Sequence, residues 1–298
     1  MDGCSQKKLR IRMKFLYASD LHGNIHLYEE LKKLTLKDCI EIIALGGDLL
    51  PSSVHSQQYE KLIPNQKIFI NQFFFDFLKS LLEIKSLKKI FLTPGNWDLA
   101  YPFIFNEQFE KIIDLNLNCY KLSNGYELIG YPFVPPTPFR PKDYEKRDDL
   151  VAPIPPQKNP SYIKSRNKEE RLIPIDPYSY LGERQTIEED LLRLSKPFDF
   201  KKTIYIMHSP PFGTKLDIIK GGLNCGSHSI RKFIENYQPL LTLHGHIHES
   251  PKLTNSYIDR IGNTISINPG QFSYPKLQAI VFDLEEIENT IYHTCFRC

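Results

Sequence analysis

The chain has 298 residues, 41% apolar and 24% charged, an ordinary composition for a soluble globular protein with enough length for a substantial core. Its net charge of +3 gives no electrostatic case for nucleic acid or an anionic membrane as the main partner. No apolar run approaches the ~18 residues of a membrane span, and the polar, basic start MDGCSQKKLRIR lacks the apolar centre of a secretory signal. A reducing cytoplasm is the expected compartment. The six cysteines form no framework; Cys295 and Cys298 make a lone C-x-x-C that reads as a frayed tail before a redox or zinc site. Residues 1–12 read as an extension, and Met13 opens a domain expected to run over 13–298.

In chain order, KFLYAS (14–19) reads as a buried strand running into the loop DLHGN, followed by a short amphipathic helix over 26–34. CIEIIAL (39–45) runs into GGD. The segment 68–84 places Ile70, Phe74, Phe77, Leu78 and Leu81 on one helical face. KKIFLT (88–93) runs into PGNWD. Residues 132–184 break the rhythm, because eleven of the chain's 22 prolines fall between 132 and 177. That density argues against regular helix or central strand and predicts a long insertion, its tyrosines and arginines favouring an ordered lid over a bare linker. TIYIM (203–207) leads into HSPPFG, Ser227 is placed to cap the helix HSIRKFIENY, and LLTL (240–243) leads into HGHIH. TISIN, LQAIVFDL and TIYHT read as consecutive strands with no helices between them. Strand–loop–helix alternation followed by such a run predicts an α/β fold with mixed sheets.

Metal-ligand residue types recur at the strand ends: Asp20, His22, Asp48, Asn96, His208, His246 and His248. Singly each has a plainer explanation, as a helix cap, a turn residue or a buried imidazole. Together they matter, because loops at the carboxyl ends of neighbouring strands converge on one crevice. Three oxygen donors and four imidazoles without a thiolate suit manganese first, with Fe, Zn, Ni or Mg as alternatives. Seven ligands exceed the needs of one ion and suit two ions ~4 Å apart, the arrangement used for in-line displacement at phosphorus.

The ordered set DLH (20–22), GGD (46–48), GNWD (95–98), HSPP (208–211) and GHIH (245–248) resembles the calcineurin-like metallophosphoesterase family. The resemblance implies two facing mixed β-sheets flanked by helices, in an α/β/β/α sandwich. It implies that Asp20, His22 and His248 hold one divalent metal ion, that Asn96, His208 and His246 hold a second, and that Asp48 bridges them. Asp48, Asn96 and His208 are then the candidate catalytic residues, and a metal-bridging hydroxide attacks phosphorus.

Trp97 departs from the pattern. Well-known branches of the family carry histidine there, and an indole can only donate a hydrogen bond. The chain also lacks the GDxVDRG stretch of Ser/Thr phosphatases, reading LLPSSV after Asp48. A phosphodiester or another small phosphorylated substrate is therefore expected over phosphoprotein. Trp97 either stacks on a base or aryl group or packs between its loop and the neighbouring helix. His26 could replace the missing imidazole, whereas His244 is expected to point away. Arg140, Lys142 or Arg147 of the insertion could clamp a phosphate oxygen. The competing readings are a non-catalytic scaffold on the same fold and a nuclease; the near-neutral charge weakens the second.

Overall fold

The computed structural model describes residues 13–52, 59–100, 109–165, 171–194, 196–272 and 275–296. The expected extension 1–12 and Cys298 lie outside them. In chain order the first strands are β1 (Lys14–Ala18), β2 (Ile42–Gly46), β3 (Lys89–Thr93), β4 (Ile112–Asp114), β5 (Cys119–Lys121) and β6 (Glu127–Tyr131). They are followed by β7 (Ser161–Lys164), β8 (Leu172–Ile175), β9 (Thr203–Met207) and β10 (Leu241–Leu243). The last are β11 (Ile258–Ile261), β12 (Thr264–Ile267), β13 (Ile280–Asp283) and β14 (Tyr292–His293). The helices are α1 (Ile25–Lys37), α2 (Leu62–Phe69), α3 (Phe75–Leu82), α4 (Pro177–Glu183), α5 (Ile187–Arg193), α6 (His228–Tyr237), α7 (Ser250–Thr254) and α8 (Ile287–Thr290).

Two six-stranded mixed sheets result, ordered β14-β13-β1-β2-β3-β4 and β11-β12-β10-β9-β6-β5. In the first, β1 to β4 run parallel, β13 pairs antiparallel with β1, and β14 pairs antiparallel with β13. In the second, β6, β9, β10 and β12 run parallel and the edges are antiparallel. The inner faces share one core, where Phe15, Tyr17, Ala44, Phe91 and Phe282 meet Leu128, Ile204, Ile206 and Leu243. The outer face of the first sheet packs on α1, α2 and α3. That of the second packs on α5 and α6 through Tyr205, Met207, Leu191, Ile230 and Phe233. The expected α/β/β/α sandwich is thus present: strands covered on both faces are mostly apolar, and every residue of β2 and β9 is buried.

The local differences have physical causes. The helix expected over 26–34 runs over Ile25–Lys37, with the Asn24 side chain accepting from the His26 backbone N–H. The helix expected over 68–84 begins at Leu62, because Pro64 falls in a first turn that needs no donor. It is interrupted by a π-helical turn at Ile70–Phe74. That extra residue lets the consecutive Phe73 and Phe74 both face Tyr28, with ring centroids 5.6 and 5.9 Å away. All five residues of the expected face are buried. Ser227 caps α6 as expected, accepting from the Ile230 N–H. A four-residue helix, α8, stands between β13 and β14 where the sequence predicts none, and β11 is a further strand that it does not announce.

The proline-rich insertion holds more regular structure than its composition suggests. It contains the β7–β8 hairpin, a separate two-stranded sheet, and α4, whose Pro177 stands at the helix start where proline is tolerated. Buried ionic contacts fasten it down. Lys142 is fully buried, donating to Glu145 Oε2 at 2.7 Å and to the Thr137 carbonyl at 2.8 Å. Asp148 accepts from the Ser227 hydroxyl and, at 3.0 Å, from the His228 N–H, tying the insertion to the start of α6. No helix among the described residues is long and apolar enough to cross a membrane.

Candidate metal centre

The loops after β1, β2, β3, β9 and β10 converge. The Asp20 N–H donates to the Gly47 carbonyl at 2.9 Å, and His208 Nδ1 lies 2.8 Å from the Gly46 carbonyl, so the first sheet's loops meet the second's. Two groups of side chains form there. Ligand atoms of Asp20, His22, Asp48 and His248 lie within 4.8 Å of one another, and so do those of Asp48, His208 and His246. Asp48 belongs to both. Its Oδ2 is 3.4 Å from His208 Nε2 and 3.8 Å from His22 Nε2, while His248 Nε2 is 3.1 Å from Asp20 Oδ1. Asn96 follows Gly95, where an added Cβ would fall 2.4 Å from Asp48 Oδ1 and 2.6 Å from His208 Nε2. Only a glycine lets the backbone pass this close to both ligands.

The backbone is bent to aim these groups. Asp20, His22, Asp48 and His246 all adopt left-handed conformations, with φ between 47° and 66°. Outside glycine such conformations are uncommon and cost ~1 kcal/mol or more each. Four of them at seven candidate ligand positions mark a place where geometry is held against local preference. Unmet polar groups mark it too: Asp48 Oδ2, both polar atoms of Asn96, His208 Nε2 and His22 Nδ1 are buried without a hydrogen-bond partner. Such groups are costly unless something satisfies them. A mixed oxygen and imidazole set aimed inward fits divalent cations.

The supporting contacts fix which atoms face inward. The Gly46 carbonyl occupies the Nδ1 side of His208 and so leaves Nε2 for the centre. Asp20 accepts from the His246 N–H through both oxygens, at 3.0 and 3.2 Å. Asp98, the last residue of GNWD, receives no role from the sequence although it stands in the motif. Its carboxylate accepts from the N–H groups of Leu49 (3.1 Å), Leu50 (2.8 Å) and Gly95 (2.9 Å), clamping the Asp48 loop to the Asn96 loop. Burial, then the neighbouring Asp48 charge, push this carboxyl up to about 7. Asp98→Ala is expected to lower Mn²⁺ affinity ~10–100-fold without unfolding the sandwich. Competition with a chromophoric chelator reads the affinity, and an unchanged value would refute the clamp.

Protonation sorts the imidazoles. Burial depresses His22 to about 4 and His246 to about 3, so both are neutral at pH 7. Burial would depress His208 as well, but the charge of Asp48 and the contact with it outweigh that and raise it to about 9. Without metal, His208 therefore carries a proton at pH 7 and pairs with Asp48. A cation must displace that proton, so binding is expected to release about one proton per chain from this residue and to tighten as pH rises towards 9. Calorimetry in buffers of different ionisation enthalpy measures the release; none at pH 7 would contradict it.

The other sequence candidates fall outside the two groups. His26 lies half-buried in the first turn of α1 and belongs to neither. His244 is buried and held elsewhere, its Nδ1 2.9 Å from the Met207 and Ser209 carbonyls and its Nε2 2.8 Å from Thr242 Oγ1. Trp97 is only 3% exposed. Its ring lies against Tyr59 (6.4 Å, 11° between planes) and Phe139 (5.0 Å), its backbone N–H donates to Asp48 Oδ1 at 2.7 Å, and its carbonyl accepts from Gln66. This agrees with the packing alternative and leaves little ring face for a ligand. Arg140, Lys142 and Arg147, the three residues expected to be able to clamp a phosphate oxygen, make other contacts in this structure. Lys142 is buried against Glu145, Arg140 bonds the Pro160 carbonyl and lies over Tyr59 and Tyr162, and Arg147 bonds the Leu150 and Gly182 carbonyls.

The calcineurin-like phosphoesterase profile matches residues 13–250, and the chain belongs to that family. An uncharacterised protein of Methanocaldococcus jannaschii, MJ1162, is 40% identical over 80 residues, which is 26% of this chain and 34% of that protein, about a third of its length. Among solved structures, one chain aligns with a TM-score of 0.58 and 16% identity over 96% of this chain and all of the other. The crystal structure of TT1561 of Thermus thermophilus aligns with a TM-score of 0.50 and 17% identity, again over 96% and 100%. At such identities the likeness speaks for the fold.

Proposed function

We propose that the protein is a dinuclear metal-dependent phosphoester hydrolase acting on a phosphodiester or other small phosphorylated metabolite. The observation that carries this reading is Asp48, one carboxylate shared by two groups of candidate ligands. Asp20, His22 and His248 would hold one divalent cation and Asn96, His208 and His246 the other. Bound there, the pair supplies Lewis acidity and a water of lowered pKa for displacement at phosphorus. The chain's own residues supply the rest. Gly46 and Asp98 orient the ligand-bearing loops, and His22 and His246, neutral through burial, present lone pairs without giving up a proton.

Trp97 removes the imidazole that would protonate a leaving group, a contribution of ~10²–10⁴-fold where it operates. The reading therefore favours substrates whose leaving group departs without much help. The test is hydrolysis of bis-p-nitrophenyl phosphate and p-nitrophenyl phosphate side by side by metal-stripped protein reloaded with Mn²⁺. Faster turnover of the diester is expected. A monoester preference would overturn the diester assignment, and no turnover of either, with two ions bound, would favour a scaffold on the same fold.

A further inference from the structure

A cavity of about 380 Å³ opens onto Asp48, His246 and His248. Apart from the candidate ligands its wall is mainly apolar. Pro135, Pro136, Pro138 and Phe139 come from the insertion, Trp97 from the loop after β3, and Ile219 from the loop before α6. Its other polar side chains are Thr137, Cys225 and Glu249, and among the described residues no lysine or arginine lines it. Of the basic residues that flank Phe139 in the insertion, Lys142 pairs with Glu145, and Arg140 bonds the Pro160 carbonyl and lies over two tyrosine rings. The Phe139 and Trp97 rings touch, with centroids 5.0 Å apart.

From this wall we infer that the substrate's organic group is apolar or aromatic, about one or two rings in size, and bears no second anionic group. The inference rests on the proposed phosphoester hydrolase and narrows its substrate class. A second phosphate or carboxylate on that group would meet proline and phenylalanine, with no lysine or arginine among the described residues of the wall to pair it, and would lie near Glu249. Buried anions without a partner are disfavoured, and like charges repel. An aromatic ring instead exchanges water for the faces of Phe139 and the prolines. Apolar burial of that size commonly strengthens binding ~10–100-fold. Nucleoside polyphosphates and nucleic acid strands, with several phosphates in succession, do not match the wall.

The probes are methylphosphonate, phenylphosphonate and 3-phosphonopropionate, which share the phosphorus group and differ only in what the wall would meet. Binding to Mn²⁺-loaded protein is measured calorimetrically, with inhibition of bis-p-nitrophenyl phosphate hydrolysis in parallel. Phenylphosphonate is expected to bind at least ~10-fold more tightly than methylphosphonate, and 3-phosphonopropionate more weakly than either. In Phe139→Ala the phenyl-to-methyl ratio is expected to fall several-fold. Equal binding of the three by the wild-type protein, or tightest binding of the carboxylate, overturns the inference while metal-dependent hydrolysis stands. Absence of hydrolysis together with selective phenylphosphonate binding removes the hydrolase reading and keeps the apolar site. The wild-type comparison decides even if the variant fails to fold.

Discussion

Asp48→Asn is expected to lower Mn²⁺-dependent phosphoester hydrolysis by at least ~10³-fold and to reduce the bound metal below two ions per chain. Asp48 would serve both cations through its carboxylate charge, and its Oδ2 lies near His208 of one group and His22 of the other. An amide offers one neutral oxygen and an NH₂ that repels a cation. Paired cations stabilise the charge developing at phosphorus by several kcal/mol, and each ~1.36 kcal/mol lost is a tenfold loss in rate. The fold should survive, since the side chain is near-isosteric and the apoprotein loses mainly the 3.4 Å ion pair of Oδ2 with His208. One bond is at risk, from the Trp97 backbone N–H to Oδ1, and the amide oxygen can still accept it. Elemental analysis beside the rate separates the two effects. Full activity in the variant would exclude the bridging role proposed for Asp48.

The second large effect concerns Trp97 and stability. The indole is almost wholly buried between Tyr59 and Phe139, with Leu99 of its loop buried against Leu62 and Ile63 of α2. Truncation of a buried tryptophan costs ~3–5 kcal/mol through lost contacts and the cavity left behind. Trp97→Ala should therefore lower the melting temperature by several degrees and loosen Phe139 over the cavity. Trp97→His tests whether the imidazole can simply be restored. It is expected to destabilise the protein as well, since a smaller, more polar ring replaces an apolar one in a closed aromatic contact, and so to gain little activity. A Trp97→Ala protein as stable as wild type would show that the residue is not a packing element.

What the sequence made legible was the set of features fixed by local chemistry. Strands such as IIALG and TIYIM are almost wholly apolar because both faces are covered, and the seven donor residues follow such strands in a recognisable order. Asp98 escapes notice because a carboxylate receiving three backbone N–H groups looks, in sequence, like any acidic residue in a turn. The insertion misleads for a related reason. Proline density reports where regular hydrogen bonding is difficult, yet Pro177 sits where a helix tolerates it, and the hairpin's Pro174 lies in a separate two-stranded sheet. Nor can sequence say whether Arg140 or Lys142 faces a ligand. Glu145 stands only three residues from Lys142, but the burial of that pair and the placing of Tyr59 and Tyr162 beside Arg140 are set by the fold.

The most direct test of a two-ion centre organised by Asp48 is a Mn²⁺ titration of the metal-stripped protein, following bound metal and bis-p-nitrophenyl phosphate turnover in the same samples. Two equivalents should bind, with turnover rising as the second site fills, and Asp48→Asn should show neither. A single tight equivalent, or turnover that is unchanged before any metal is added, would contradict the two-ion centre.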